Sequence, residues 1–309
     1  METKVIFFGT PAFVLPVLDA LTMAGYMPQA VITAPDKPVG RKQVVTPPPV
    51  KQWGEAHGIR VLQPEKLDGV FSEQLRVLKP DVGIISAYGK IIPKSALGVF
   101  SKGVLNLHPS LLPRWRGPSP VQEAIAAGDQ ETGVTIMLTD EEIDHGAILA
   151  QKPVALKGTE TGGSLTEKLF DLGADLLVAS LFGWLAGNIT PQSQDHSQAT
   201  YTKLLTRDSG HIDWSRDAES VAAMVRAYDP WPGTFTEVKG LGRLKIFPLV
   251  SADISMGPFG QLFRKDGKLV IYCGKGSLIL EHLQLEGRRP MLGHEFLLGH
   301  PEIIGRNVL

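Results

Sequence analysis

Apolar and polar positions along the first half of the chain follow two periods in turn, and the switching between them predicts the architecture. Val5–Phe8 is a continuous apolar run closed by Gly9-Thr10-Pro11, the pattern of a buried strand and a tight turn. Phe13–Met23 then repeats apolar residues at helical spacing. Short strand-like runs recur at Ala30–Thr33, Val82–Ser86, Gly103–Leu107 and Val134–Leu138, with an amphipathic helix at Val121–Ala127 before the last of them. Strands alternating with helices specify a mostly parallel sheet covered on both faces. Ser164–Leu185 predicts a long closing helix, and the polar stretch Pro191–Gln198 has no period and reads as a linker. Beyond it, Ala218–Ala227 predicts one helix, ended by Asp229-Pro230-Trp231-Pro232-Gly233. Short strands with turns such as Asp266-Gly267 and Gly274-Lys275-Gly276 follow, which suggests a small barrel. The expected fold class is α/β: a Rossmann-like domain with a parallel-rich sheet over 1–190, a linker over 191–205, and a small OB-like β-barrel domain over 206–309.

Composition narrows the function classes. A chain of 309 residues supports two domains with sizeable cores, and 43% hydrophobic with 20% charged residues is ordinary for a soluble globular protein. The formal net charge of -1 gives no global attraction to nucleic acid or membrane, so any such attraction must be local. The single cysteine, Cys273, excludes an internal disulfide and any cysteine-based zinc site, and it sits in a strand-like run as a small core residue would. Val5–Phe8 is too short for a signal peptide or a membrane span, which makes the cytoplasm the expected address. Gly9-Thr10-Pro11 lacks the further glycines of a dinucleotide loop, and Pro11 removes an amide that would cradle phosphate.

The candidate chemistry lies in Val104–Gly117, VLNLHPSLLPRWRG. Asn106 and His108 are two residues apart and therefore share one face of a strand, which Pro109 halts. Either residue alone at a strand end is ordinarily a solvated polar group. Together, a neutral amide donor and a titratable imidazole suit an acyl-type transfer, one steadying an oxyanion while the other moves a proton. Downstream, Thr139–Gly146 crowds four carboxylates into one loop. Asp144 stands out among them, since Ile143 before it and Gly146 after it suggest a tight turn against apolar surroundings. A carboxylate beside an imidazole fixes its tautomer.

Asn106, His108, the run Ser110-Leu111-Leu112-Pro113-Arg114-Trp115-Arg116-Gly117 and Asp144 resemble the 10-formyltetrahydrofolate-dependent formyltransferases. The resemblance extends over nearly the whole chain. It includes Phe8–Phe13, Asp36–Arg41 and Ala87–Pro93, and past the linker Gly210–Trp214 and Asp229–Gly233, which resemble the members that act on tRNA. It implies that the folate donor lies along Ser110, Leu111, Leu112 and Pro113, its ring near Ile85, Ala87, Tyr88 and Gly89. It further implies that Asn106 and His108 stabilise the oxyanion of a tetrahedral intermediate, that Asp144 orients His108, and that no metal takes part. The implied acceptor is the free α-amine of methionyl initiator tRNA, and the implied state is a monomer away from any membrane. One departure is His145, where the family usually carries Thr.

Two basic regions suit such an acceptor. Lys37, Arg41, Lys42 and Lys51 lie in a segment stiffened by Pro47-Pro48-Pro49, which from its residues alone reads as a solvated loop. Between residues 239 and 275, seven basic residues, Lys245, Arg264, Lys265 and Lys268 among them, face only Asp253 and Asp266. A small barrel with a basic face is a common platform for nucleic acid. A formyltransferase acting on an amino-sugar nucleotide would share Asn106, His108 and Asp144 but leave that basic stretch without a purpose. A non-catalytic tRNA-binding protein would leave the three polar residues unexplained.

Overall fold

Apolar runs with no polar alternation, such as Val5–Phe8, can be buried only in a sheet that helices cover on both faces. The computed structural model describes residues 3–40, 42–248, 252–253 and 256–308. The chain forms two compact units. The first takes the chain up to Pro120, then Glu131–Ala155 and Thr166–Thr202; the second takes Val121–Gln130, Leu156–Leu165 and the chain from Lys203 onward. The segment expected as a linker is thus split. Its residues as far as Thr202 belong to the first unit, because their polar groups are bonded into it rather than left to solvent.

In chain order the elements are β1 (Val5–Gly9), α1 (Leu15–Met23), β2 (Pro28–Ile32), β3 (Lys37–Val39), β4 (Val44–Thr46), α2 (Pro49–Ala56), β5 (Arg60–Leu62), α3 (Gly69–Leu78), β6 (Val82–Ser86), α4 (Lys94–Leu97), β7 (Val104–His108), α5 (Pro120–Ala126), β8 (Glu131–Leu138), β9 (Ile148–Ala155) and α6 (Gly162–Leu185). One sheet runs β5-β2-β1-β6-β7-β8-β9. Its strands are parallel from β5 to β7 and antiparallel from β7 to β9. From β1 the chain steps outward to β2 and β5, then returns to β6 on the other side. That reversal is where open α/β sheets hold ligands, at the carboxyl ends of the strands. Gly9 and Ser86 pair at that end of β1 and β6.

All of β1 is buried. The Phe8 ring meets the rings of Tyr88 and Phe100 edge-on at 5.6 and 6.1 Å, while Phe13 packs on Phe170 of α6 at 4.6 Å. The helix expected from Phe13 begins two residues later, after a 3-10 turn over Ala12–Val14, with Pro16 in its first turn where a missing N–H costs nothing. The segment expected as a surface loop is the antiparallel hairpin of β3 and β4, with register Lys37↔Thr46 and Val39↔Val44. All of β3 is exposed and β4 nearly so, so no buried face imprints alternation on the sequence.

The second unit holds α7 (Ala218–Ala227), β10 (Thr234–Val238), β11 (Gly242–Ile246), β12 (Ala252–Asp253), β13 (Leu262–Lys265), β14 (Lys268–Tyr272), β15 (Ser277–Ile279), β16 (His282–Leu285), β17 (Met291–Leu292) and α8 (Gly293–Gly299). Its strands are antiparallel and form two sheets, β10-β11-β16-β17 and β12-β15-β14-β13, which share one core. Trp214, Val225, Leu244, Ile271, Leu283 and Phe296 meet in that core. The Asp266-Gly267 turn has φ of 47° and 77°, the left-handed pair that closes a two-residue hairpin between β13 and β14. Asp217 caps α7 by accepting the Ser220 N–H at 2.8 Å.

Cys273 lies in the same core, and burial pushes its thiol up to about 12. Below that value the thiolate is scarce, and the thiolate is the reactive form. Native protein at pH 8 is expected to resist a thiol reagent and to take up one equivalent after denaturation. Rapid labelling of the native protein would refute this placement.

Candidate active site

β7 ends at His108, and the turn that follows is set by its antiparallel neighbour. His108 pairs with Thr135 of β8 in register, and the fully buried Thr135 hydroxyl sits under the turn. It donates to the Ser110 carbonyl at 2.7 Å and accepts from the Leu112 N–H at 3.2 Å and from Gln151 Nε2 at 2.9 Å. Gln151 Nε2 also donates to the Leu112 carbonyl at 2.9 Å, and Ser110 Oγ donates to the Arg114 carbonyl at 2.6 Å. The hydroxyl thereby uses its one proton and both lone pairs. These bonds turn Leu112 inward, to 3% exposure, with Ser110 buried beside it. Leu112, expected along the folate donor, is buried, and Leu111 and Pro113 are the half-buried members of the turn.

The second expected folate segment divides in the same way. Ile85 and Ala87 are half-buried and Gly89 is exposed, whereas the Tyr88 ring is buried against Phe8. Burial pushes the Tyr88 phenol up to about 12. It packs in a core cluster between two left-handed positions, Ala87 at φ 48° and Gly89 at φ 81°.

Asn106, His108 and Asp144 come together. Asp144 Oδ1 accepts from Asn106 Nδ2 at 3.1 Å, Oδ2 accepts from the Gly117 N–H at 2.8 Å, and His108 Nδ1 stands 3.5 Å from Oδ2. His108 Nε2 lies 2.9 Å from the Trp115 carbonyl, which can only accept, so Nε2 carries a proton. The imidazole and carboxylate are 5% and 14% exposed, and a carboxylate so enclosed needs the donors it has here. Asp144 at φ 47° and Trp115 at φ 62° adopt a conformation that costs a side chain about 1 kcal/mol or more. Gly146 closes the Asp144 turn, where an added Cβ would lie 1.9 Å from the Leu138 carbonyl oxygen.

Sequence reasoning missed what holds this turn. Arg116, the largest fully buried side chain among the described residues, bonds Gln194, and Gln194 Nε2 donates to the carbonyls of Asp144 and Gly146 at 2.9 and 2.8 Å. No local pattern marks Gln194, which sits in a polar stretch far along the chain. His145 faces Asp140 Oδ2 at 2.6 Å and stacks on His196 with centroids 4.0 Å apart.

The basic residues are mostly at the surface. Lys37 and Lys42 are exposed in and beside the hairpin, and Arg41 lies outside the described residues. Lys51 is on α2, paired with Asp36 at 2.7 Å. Hydrogen bonds from Gln63 and then Lys51 hold the Asp36 carboxyl below its ordinary value. Arg264, Lys265 and Lys268 are exposed on the β13–β14 hairpin, and Lys245 Nζ lies over the Phe247 ring at 4.7 Å. Among the described residues, no group of three or more His, Cys, Asp or Glu is arranged to hold a metal ion, and no helix is long and apolar enough to cross a membrane.

Residues 3–181 match the formyl transferase family, and residues 204–301 match the formyl transferase C-terminal domain. Methionyl-tRNA formyltransferase of Chloroflexus aurantiacus is 46% identical over 299 residues, covering 96% of each chain. That of Marinobacter nauticus is 39% identical and covers 97% of each. Among solved structures, an N-formyltransferase from Helicobacter canadensis in complex with folinic acid and dTDP-3-aminofucose is similar with a TM-score of 0.65 at 16% identity, over 90% of this chain and 99% of that one. HypX from Aquifex aeolicus in complex with tetrahydrofolic acid gives a TM-score of 0.64 at 18% identity. The match covers 96% of this chain and 47% of HypX, so this chain spans about half its length. At these identities the structural likeness is one of fold.

Thr135→Val keeps the shape of the buried side chain and removes three bonds under the Ser110–Pro113 turn. It is expected to lower stability by roughly 1–3 kcal/mol, the cost of leaving a buried amide and N–H unpaired. A denaturant midpoint unchanged from wild type would show that the turn does not depend on this hydroxyl.

Proposed function

This chain belongs to the formyl transferase family, and from that premise we propose that it transfers the formyl group of 10-formyltetrahydrofolate to the free α-amine of methionyl initiator tRNA. The observation that carries the acceptor is the 46% identity to a methionyl-tRNA formyltransferase, over 96% of both chains. We place the reaction in the cytoplasm, with the protein acting as a monomer of two domains: the catalytic one built on the seven-stranded sheet, the tRNA-binding one on the antiparallel sheets.

In this reading the amine attacks the formyl carbon, a C–N bond forms, and the carbonyl oxygen becomes an oxyanion. Asn106 gives one amide proton to Asp144 and keeps the other for that oxygen. His108 has Nε2–H committed to the Trp115 carbonyl, so its free lone pair is at Nδ1, 3.5 Å from Asp144 Oδ2 with no proton between them. Nδ1 takes the proton that the amine loses, and the Asp144 carboxylate stabilises the imidazolium that results. The proton passes to the folate N10 as the bond between N10 and the formyl carbon breaks. The donor lies along Ser110, Leu111, Leu112 and Pro113, with its ring near Ile85, Ala87, Tyr88 and Gly89. Lys37, Arg41 and Lys42, with Lys245, Arg264, Lys265 and Lys268, take the tRNA backbone.

His108→Ala, Asn106→Ala and Asp144→Ala are each expected to lower kcat about a hundredfold or more with the fold intact, as losing an acid–base or oxyanion group does. The measurement is formyl transfer to methionyl initiator tRNA. A folded His108→Ala protein keeping more than about a tenth of wild-type turnover would overturn the assignment.

If basic side chains neutralise tRNA phosphates, affinity should fall with salt at a log–log slope of roughly -0.7 to -0.9 per contact. Removing Lys265 and Lys268 together is expected to flatten that slope by about 1 to 2 and to leave the folate KM unchanged. Salt-insensitive transfer in the wild type would point instead to a small acceptor such as an amino-sugar nucleotide.

A further inference from the structure

A guanidinium is costly to bury without a carboxylate, and Arg116 is 1% exposed with none bonded to it among the described residues. Its hydrogen-bond partners among the described residues are an amide, an imidazole and a phenol hydroxyl. Gln194 Oε1 accepts from Nη2 at 2.7 Å and from Nε at 3.2 Å, His196 Nδ1 lies 2.8 Å from Nη2, and the Tyr201 hydroxyl accepts from Nη1 at 3.2 Å. For stability alone, a hydrocarbon side chain of similar volume would serve as well. What the cation does is set the direction of an amide. With Oε1 held by Arg116, the NH2 of Gln194 must face the other way, and there it meets the Asp144 and Gly146 carbonyls at 2.9 and 2.8 Å. Both of its protons are used.

Those two carbonyls belong to the turn in which Asp144 is held at φ 47°, a conformation the backbone leaves unless its surroundings enforce it. The next residue along from Arg116 completes the hold, since the Gly117 N–H binds Asp144 Oδ2 at 2.8 Å. His196, another acceptor on Arg116, stacks within 4° of parallel on His145, directly after Asp144. We propose that Arg116 and Gln194 are positioning residues for formyl transfer: the buried guanidinium fixes the Gln194 amide, and that amide holds the left-handed turn that aims the Asp144 carboxylate at Asn106 and His108. This rests on the role given to Asp144 under the proposed function.

Gln194→Glu separates this role from packing. The carboxylate keeps an acceptor for Arg116 and adds an opposite charge, but it presents an oxygen where two carbonyls need a donor. It is expected to lower kcat about tenfold or more with the folate KM unchanged, beyond whatever stability the two unpaired carbonyls cost. Arg116→Met, which leaves the amide unanchored, is expected to lower kcat in the same direction and serves if Gln194→Glu does not fold. Placed on Asp144→Ala and measured by single-turnover transfer, either change should cost less than about twofold more, because residues acting through one group are not additive. Full kcat in both single variants, or a full additive loss on Asp144→Ala, overturns the proposal. If Asp144→Ala itself keeps wild-type turnover, the assignment of the site fails instead.

Discussion

The Asp144 carboxylate is the constraint on which the site depends. It is nearly enclosed, so each oxygen must be met by a donor, and the donors come from two separate places in the chain. Asn106 reaches it from β7, and the Gly117 N–H reaches it from beyond the turn after β7. Meeting both requires a left-handed turn at Asp144, a glycine at 146 that lets the chain pass the Leu138 carbonyl, and an anchor on the turn's own carbonyls. Three stretches of chain, around residues 106, 116 and 144, are therefore fixed by one charge.

The sheet supplies the rigidity that such a site needs. β7 is flanked by a parallel neighbour, β6, and an antiparallel one, β8, so its backbone groups are paired on both edges. Asn106 and His108 are carried on that paired strand and not on a loop, and the loop beyond them is held by the Thr135 hydroxyl from β8. Buried polar groups of this kind are useful only when fully satisfied. The satisfied network explains why Ser110 and Leu112 face inward.

The second unit obeys a different rule. Its strands pair antiparallel around a core that includes Leu244, Ile271 and Leu283, and β10 and β14 are buried on both faces, at Phe235 and Val270 among others. Lys265 and Lys268 sit opposite one another across β13 and β14, where like charges raise the local potential even though the whole chain is close to neutral. Distribution, not total charge, is what matters to a polyanionic partner.

Local chemistry was legible in the sequence by itself. The apolar runs of β1 and β6, the helix at Ala218–Ala227, and the shared face of Asn106 and His108 follow from period and side-chain alternation, which neighbouring residues decide. So did the singling out of Asp144, because Gly146 marks a tight turn. The hairpin of β3 and β4 was not legible, since strands without a buried face carry no alternation. Nor were the inward turns of Leu112 and Tyr88, which depend on hydrogen bonds and ring contacts from other strands. The polar stretch around Gln194 read as a linker because its composition is that of one, yet its side chain is buried against Arg116. A polar residue looks the same in a sequence whether water or a buried guanidinium satisfies it, and only the tertiary structure decides which, by bringing the partner within reach.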